Sequence, residues 1–289
     1  MSEVIRLPFR PPFDWDGMLA FLDGRATLGV DAVAGGRYRR TLAIGEDVGW
    51  IEVGRSFDDN VELRIAPTLR RHHVDIAART RQAFDLDADP QTIARALGPL
   101  AATHPGTRLP GSFNGFDTAI RAILGQQVSV KGASTLAARF AAAFGEQIAT
   151  PYAELTRLSP APSRVAELTV DDVAPIGMPG ARAATILAVA RAVRDGIVVL
   201  DGSVPPESTM GALLALPGVG PWTAEYIAMR ALGWRDAFPA SDLGIRKALG
   251  GISARDAEAR AEAWRPWRSY AVMHLWRSLG GAPESAPRD

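Results

Sequence analysis

One short string in the chain joins residue types and spacing that can do chemistry: Leu216-Pro217-Gly218-Val219-Gly220-Pro221-Trp222-Thr223-Ala224. It predicts a hairpin between two helices, because Gly218 and Gly220 avoid the clash a Cβ would make and Pro221 is tolerated in a first helical turn. Such a turn leaves main-chain amides unpaired at the start of the second helix. Those amides, with the positive end of the helix dipole, suit a phosphate, which makes Gly218, Gly220 and Thr223 the candidate contacts. An ordinary αα-hairpin also carries a G-x-G, so the bare spacing admits both readings. About twenty residues on, in Phe238-Pro239-Ala240-Ser241-Asp242-Leu243-Gly244-Ile245, Asp242 precedes an apolar-periodic run and reads as a helix N-cap. The same position would favour an ionised carboxylate, so a cap and a charge-stabilising role are compatible there. Trp222 and Tyr226 stand four apart on one helix face, and Trp276 lies on a later helix; core packing is the usual role of such rings.

The chemistry the chain lacks is equally informative. With no cysteine, it can hold no disulfide, thiolate zinc site, iron–sulfur cluster or cysteine nucleophile. Only Lys131 and Lys247 are lysines among 32 basic residues, so a lysine nucleophile has two candidates. His72 and His73 are adjacent on a predicted helix and diverge, while His104 and His274 stand alone, so no histidine metal site is expected. No dinucleotide fingerprint, Walker A, G-x-S-x-G or H-E-x-x-H string occurs.

The elements that must position these residues fall into two zones. Residues 37–44, 48–53 and 61–65 alternate apolar and polar, with Gly35-Gly36 and Asp58-Asp59-Asn60 as turns, which predicts a small antiparallel sheet. Two helices accompany it: 15–22, N-capped by Asp14, and 68–84 behind Pro67. Past Asp89-Pro90, helical patterns recur at 91–97, 113–124, 129–144, 181–195, 210–216, 222–232, 256–264 and 267–279. Ser159-Pro160-Ala161-Pro162 reads as a loop, and the tail after Gly280 is expected to fray. The fold class is therefore α+β: a small N-terminal antiparallel-sheet domain over 1–88, then an all-α domain over 89–289. Hydrophobic residues make up 47% and charged residues 22%, enough for a buried core and against disorder. The 32 basic and 32 acidic residues cancel, which argues against a basic sheath around long DNA and leaves room for a local basic cleft. No apolar stretch reaches signal-peptide or membrane-spanning length, so a soluble, cytoplasmic protein is expected.

The hairpin string resembles the helix-hairpin-helix DNA glycosylase superfamily and, within it, the 3-methyladenine DNA glycosylase II family. Further matches are Pro11-Pro12-Phe13-Asp14-Trp15 with Met18-Leu19-Ala20-Phe21-Leu22, then Arg121-Ala122-Ile123-Leu124-Gly125-Gln126-Gln127-Val128-Ser129-Val130. Trp264-Arg265-Pro266-Trp267-Arg268-Ser269-Tyr270-Ala271, leading into His274-Leu275-Trp276, completes the resemblance, which covers nearly the whole chain.

The resemblance implies a helical core of two subdomains with the active-site cleft between them. Asp242 takes the place of the family's essential aspartate, which stabilises an electron-deficient sugar as the N-glycosidic bond breaks and orients or deprotonates a water. Ser241 stands where the closest family members carry a second acidic residue. In the branch that also cuts the backbone a hairpin lysine forms a Schiff base; here Trp222 occupies that place, which implies a monofunctional, water-using enzyme. Trp222, Tyr226 and Trp276, with Phe21 as a weaker match, would stack on a cationic alkylated purine at ~0.5–2 kcal/mol per cation–π contact. Gln127 lies where the family inserts a wedge into the gap left by the flipped base. The backbone carbonyls of Leu214, Leu216 and Val219 would hold a monovalent cation beside a DNA phosphate; no cofactor is required for the reaction. The expected partner is double-stranded DNA containing alkylated bases, read by a monomer with no membrane association. A glycosylase for another lesion and a non-catalytic helix-hairpin-helix DNA-binding protein are the competing classes.

Overall fold

A computed structural model describes residues 3–280 of the chain, so the tail after Gly280 lies outside the described residues. The N-terminal sheet has five antiparallel strands in the order β1-β5-β4-β3-β2: β1 (Glu3–Pro8), β2 (Asp31–Ala34), β3 (Arg37–Ile44), β4 (Asp47–Arg55) and β5 (Asn60–Ile65). Ala34 pairs with Arg37, so Gly35 and Gly36 form a two-residue hairpin loop, and both have the positive φ (58° and 70°) that a type I′ turn requires. Three of the strands coincide with the expected alternating runs; β1 and β2 are additions, and both are edge strands.

Helix α1 (Trp15–Asp23) starts where expected, with the Asp14 side chain accepting from Gly17 N–H at 3.0 Å. The expected single helix over 68–84 divides into a 3-10 turn, Pro67–His72, and α2 (His73–Ala83). Trp15, Leu19, Leu69, Ile76 and Phe84 close one face of the sheet against Ile51, Val53, Val61, Leu63 and Ile65.

The remainder is helical: α3 (Pro90–Leu97), α4 (Gly115–Leu124), α5 (Val130–Phe144), α6 (Pro162–Ala166), α7 (Val170–Val173), α8 (Gly180–Arg194), α9 (Pro206–Leu214), α10 (Pro221–Ala231), α11 (Leu243–Ala248), α12 (Ala254–Ala261) and α13 (Arg268–Ser278). The expected loop at 159–162 ends one residue early, because Pro162 opens the short α6. A second hydrophobic cluster runs through α4, α8, α10 and α13, with Ile123, Ile186, Ile227 and Val272 fully buried. Ala88 belongs to this cluster while Phe113 returns to the sheet cluster, so the chain passes between the two more than once.

Candidate active site

The hairpin is built as the sequence predicts. Val219 N–H donates to Leu216 O at 3.2 Å, closing the turn, and Gly218 has φ +78°. A Cβ at Gly218 would collide with Thr185 Oγ1 of α8, so position 218 admits only glycine on both conformational and steric grounds. Gly220 differs from the expectation: its φ of −91° is open to any residue, and it serves as the N-cap of α10 without a side chain. Pro221 has no N–H, which leaves the Trp222 and Thr223 amides as the free donors of the first turn. The Thr223 side chain does not face outward as a DNA contact would. It is buried, and its hydroxyl accepts from Gln126 Nε2 at 3.0 Å, so only its main-chain amide is left for a phosphate.

Gln126 is a residue the sequence reading passed over. Its Nε2 also donates to Gly218 O at 3.0 Å, and Arg182 Nη2 donates to Gln126 O at 2.6 Å. These bonds fasten the loop after α4 to the hairpin. Gln127, next along, is exposed and holds a left-handed φ of +56°.

Asp242 is the N-cap of α11: its Oδ1 accepts from Ile245 N–H at 2.9 Å. The side chain is 1% exposed, and two indoles hold it, with Trp222 Nε1 donating to Oδ2 at 2.9 Å and Trp276 Nε1 to Oδ1 at 3.0 Å. Burial pushes the Asp242 carboxyl above the usual carboxylate range, while the Trp276 indole, the Ile245 amide and the Trp222 indole pull it back. Burial therefore works against the helix end, whose dipole and amides favour the ionised form. The loop leading to Asp242 is pinned from α13 and α10. Ser269 Oγ lies within hydrogen-bond reach of the carbonyls of Trp234 (2.7 Å) and Ala237 (2.9 Å), which share its one proton, and Phe238 N–H donates to Glu225 Oε2 at 3.0 Å.

The four expected aromatic residues meet. Trp222 stacks on Tyr226 (centroids 5.3 Å, 19°), Tyr226 leans on Trp276 (6.2 Å, 40°), and Trp276 lies nearly parallel to Phe21 (6.4 Å, 15°). Two arginines that the sequence did not single out join them. The Arg25 guanidinium sits 3.7 Å from the Phe21 centroid and 5.9 Å from that of Trp276, and Arg230 sits 4.6 Å from Phe21. Phe21 therefore carries two resident cations at close range, while Trp276 and Tyr226 each have one at 5.9 Å, Arg25 and Arg230 respectively.

Lys131 and Lys247 are exposed on α5 and α11. Among the described residues no group of His, Asp and Glu is placed to hold a metal, and no helix is long and apolar enough to cross a membrane. Leu214 ends α9, and Leu216 and Val219 lie in the hairpin that follows, where the Leu216 carbonyl accepts from Val219 N–H.

Residues 120–269 match the HhH-GPD superfamily base excision DNA repair protein family, and residues 4–114 match the AlkA N-terminal domain. The chain is 36% identical over 284 residues to DNA-3-methyladenine glycosylase 2 of Escherichia coli, covering 97% of this chain and 99% of that protein. It is 41% identical over 285 residues to the probable bifunctional transcriptional activator/DNA repair enzyme AlkA of Mycobacterium tuberculosis, covering 95% of this chain. The chain spans only 57% of the length of that relative. Among solved structures, a 3-methyladenine DNA-glycosylase from Archaeoglobus fulgidus shares the fold, with a TM-score of 0.82 at 21% identity over 94% of this chain and 97% of the other. The hairpin, the helical core and the N-terminal sheet thus agree with both family matches, and the chain belongs to the HhH-GPD superfamily of base excision DNA repair proteins, in the branch that carries an AlkA N-terminal domain.

Proposed function

We propose that the protein is a DNA glycosylase that flips alkylated purines such as 3-methyladenine and 7-methylguanine out of duplex DNA and hydrolyses their N-glycosidic bond, leaving an abasic site. The observation that carries this reading is the carboxylate of Asp242 held by the indoles of Trp222 and Trp276 within an aromatic cluster beside the hairpin. Of the about four acceptor positions of a carboxylate, the two indoles and Ile245 N–H take three, and on this reading Oδ2, which accepts from Trp222, is the oxygen that takes a water. As the bond lengthens, the sugar gains positive charge that the ionised Asp242 stabilises, while the remaining acceptor position orients the water.

The rings of Trp222, Tyr226 and Trp276 supply the attraction for a cationic base, and an alkylated base unstacks more readily than an intact one. Gln127 fills the gap in the duplex, and the Trp222 and Thr223 amides take a phosphate. A monovalent cation on the carbonyls of Leu214, Leu216 and Val219 would add charge beside that phosphate. The enzyme is monofunctional on this reading, because an indole stands at the hairpin position a Schiff-base lysine would need and both lysines are exposed elsewhere.

The test is Asp242→Asn, assayed by release of bases from alkylated duplex DNA. Excision should fall by orders of magnitude while binding persists, since the lost interaction matters chiefly in the transition state. Borohydride should trap no protein–DNA adduct with the wild type. Near-normal excision by the variant, or a trapped adduct lost in Lys247→Ala, would reject the reading.

A further inference from the structure

Next to the aromatic cluster, between sheet and helices, lies a cavity of about 80 Å³ whose lining includes Arg25, Arg40, Arg121 and Arg230 against only two carboxylates, Asp31 and Asp117. Arg40 Nη2 pairs with Asp117 Oδ2 at 2.8 Å. Asp31 takes neutral donors, the Thr27 amide at 2.7 Å and the Tyr38 hydroxyl at 3.0 Å. The other three arginines also have only neutral hydrogen-bond partners among the described residues. Arg25 donates to Phe21 O, Arg121 Nη2 to Ser134 Oγ at 2.8 Å, and Arg230 to the carbonyls of Pro110 and Gly111 and to the Tyr226 hydroxyl. Arg121 Nη1 is buried and has no hydrogen-bond partner among the described residues.

Four guanidinium groups facing two carboxylates leave an excess of two positive charges around one buried space. Charge in such a place is strongly unfavourable unless a counter-charge meets it. The field is felt by its neighbours. Burial alone would raise the Tyr226 hydroxyl, yet Arg230, Arg25 and Arg121 together bring it below the ordinary tyrosine range. Burial likewise drives Arg25 itself down to about 10.

We infer that this cavity is an anion site, in which Arg25, Arg121 and Arg230 hold a small inorganic anion of the halide class. The three ligands come from the turn just after α1, from α4 and from α10, so the ion ties the N-terminal unit to the helical core. It also fixes the Arg25 guanidinium over Phe21, which makes the shape of the aromatic cluster depend on the anion present and not on ionic strength alone.

Two measurements test this. Crystals soaked in sodium bromide should show an anomalous peak within hydrogen-bonding distance of Arg121 Nη1. In solution, chloride titrated against gluconate at constant ionic strength should raise the melting temperature saturably, by roughly 2–4 °C, as expected for a ligand bound only by the folded state. Arg121→Gln, or Arg25→Gln if the first variant does not fold, should lose that rise, and Arg255→Gln on exposed α12 should keep it. A cavity without bromide, or a linear chloride response shared by all the variants, overturns the inference.

Discussion

Trp222 and Trp276, from different helices, grip opposite oxygens of the same carboxylate, at 2.9 Å to Oδ2 and 3.0 Å to Oδ1 of Asp242. The rings proposed to bind the base therefore also govern the charge of the group proposed to act on the sugar. On that proposal, recognition and chemistry are coupled through two N–H bonds.

Trp222→Phe separates the two duties by keeping a ring and removing the donor. The carboxyl, already raised by burial, loses a hydrogen bond to its charged form worth on the order of 1.5–3 kcal/mol and rises further. Activity needs the ionised form, so it is full above the apparent pKa and lost as pH falls through it. The acid limb of the single-turnover excision rate should move up by about one unit or more. A limb unchanged from wild type would mean that the indole N–H does not tune Asp242.

Gly218→Ala should destabilise the fold on the order of 3 kcal/mol, from a left-handed φ of +78° and from collision with Thr185 Oγ1. Adding Thr185→Ala should recover the steric part and leave the conformational part. Urea denaturation of the single and double variants measures the split. Full additivity of the two changes would show that the threonine is not what position 218 meets.

Gln127→Ala should lower excision from duplex DNA by roughly tenfold and leave excision of the same lesion from single-stranded DNA unchanged, because only the duplex has a gap to fill. Equal losses on both substrates would reassign Gln127 from wedge to loop support.

His274 gives the fold a pH dependence of known sign. Burial, with help from His104 and Arg277, lowers its pKa to about 4 from the usual 6.5, against the pull of Asp14. Above pH 6.5 both folded and unfolded chains are neutral there. Below it only the unfolded chain takes the proton, so stability drains as pH falls from 6.5 toward 4, by on the order of 3 kcal/mol in total. Denaturation at pH 7.5 and 5 should show about 2 kcal/mol of this loss in wild type and a smaller one in His274→Gln.

The parts of this protein that were legible in its sequence are those where burial writes a pattern. Strands β3, β4 and β5 show themselves because one face is buried, as in the alternation of Val61, Leu63 and Ile65 with half-exposed neighbours. The edge strand β2 does not, since its four residues are all half-buried and carry no contrast, and in β1 the exposed Val4 blurs the alternation. The hairpin and the cap at Asp242 are local, a few residues each, and could be read directly. Arg25, Arg121 and Arg230 could not: in composition a buried arginine is the same as a surface one. What buries them is the meeting of α1, α4 and α10, which are far apart in the chain. The indole bonds to Asp242 are long-range in the same way, although both tryptophans and the aspartate had been singled out.

The last described helix is clasped to the first part of the chain. Arg277 pairs with Asp14, the cap of α1, and the Tyr270 hydroxyl donates to Asp85 Oδ2 at 2.7 Å, while Trp276 faces Phe21. On a translating ribosome, which adds ~5–20 residues per second, the aromatic cluster can form only after Trp276 has emerged. Closing so long a loop of chain is an entropically late step. Until then Asp242 lacks one of its two indoles, and the helical core lacks the buried face of α13.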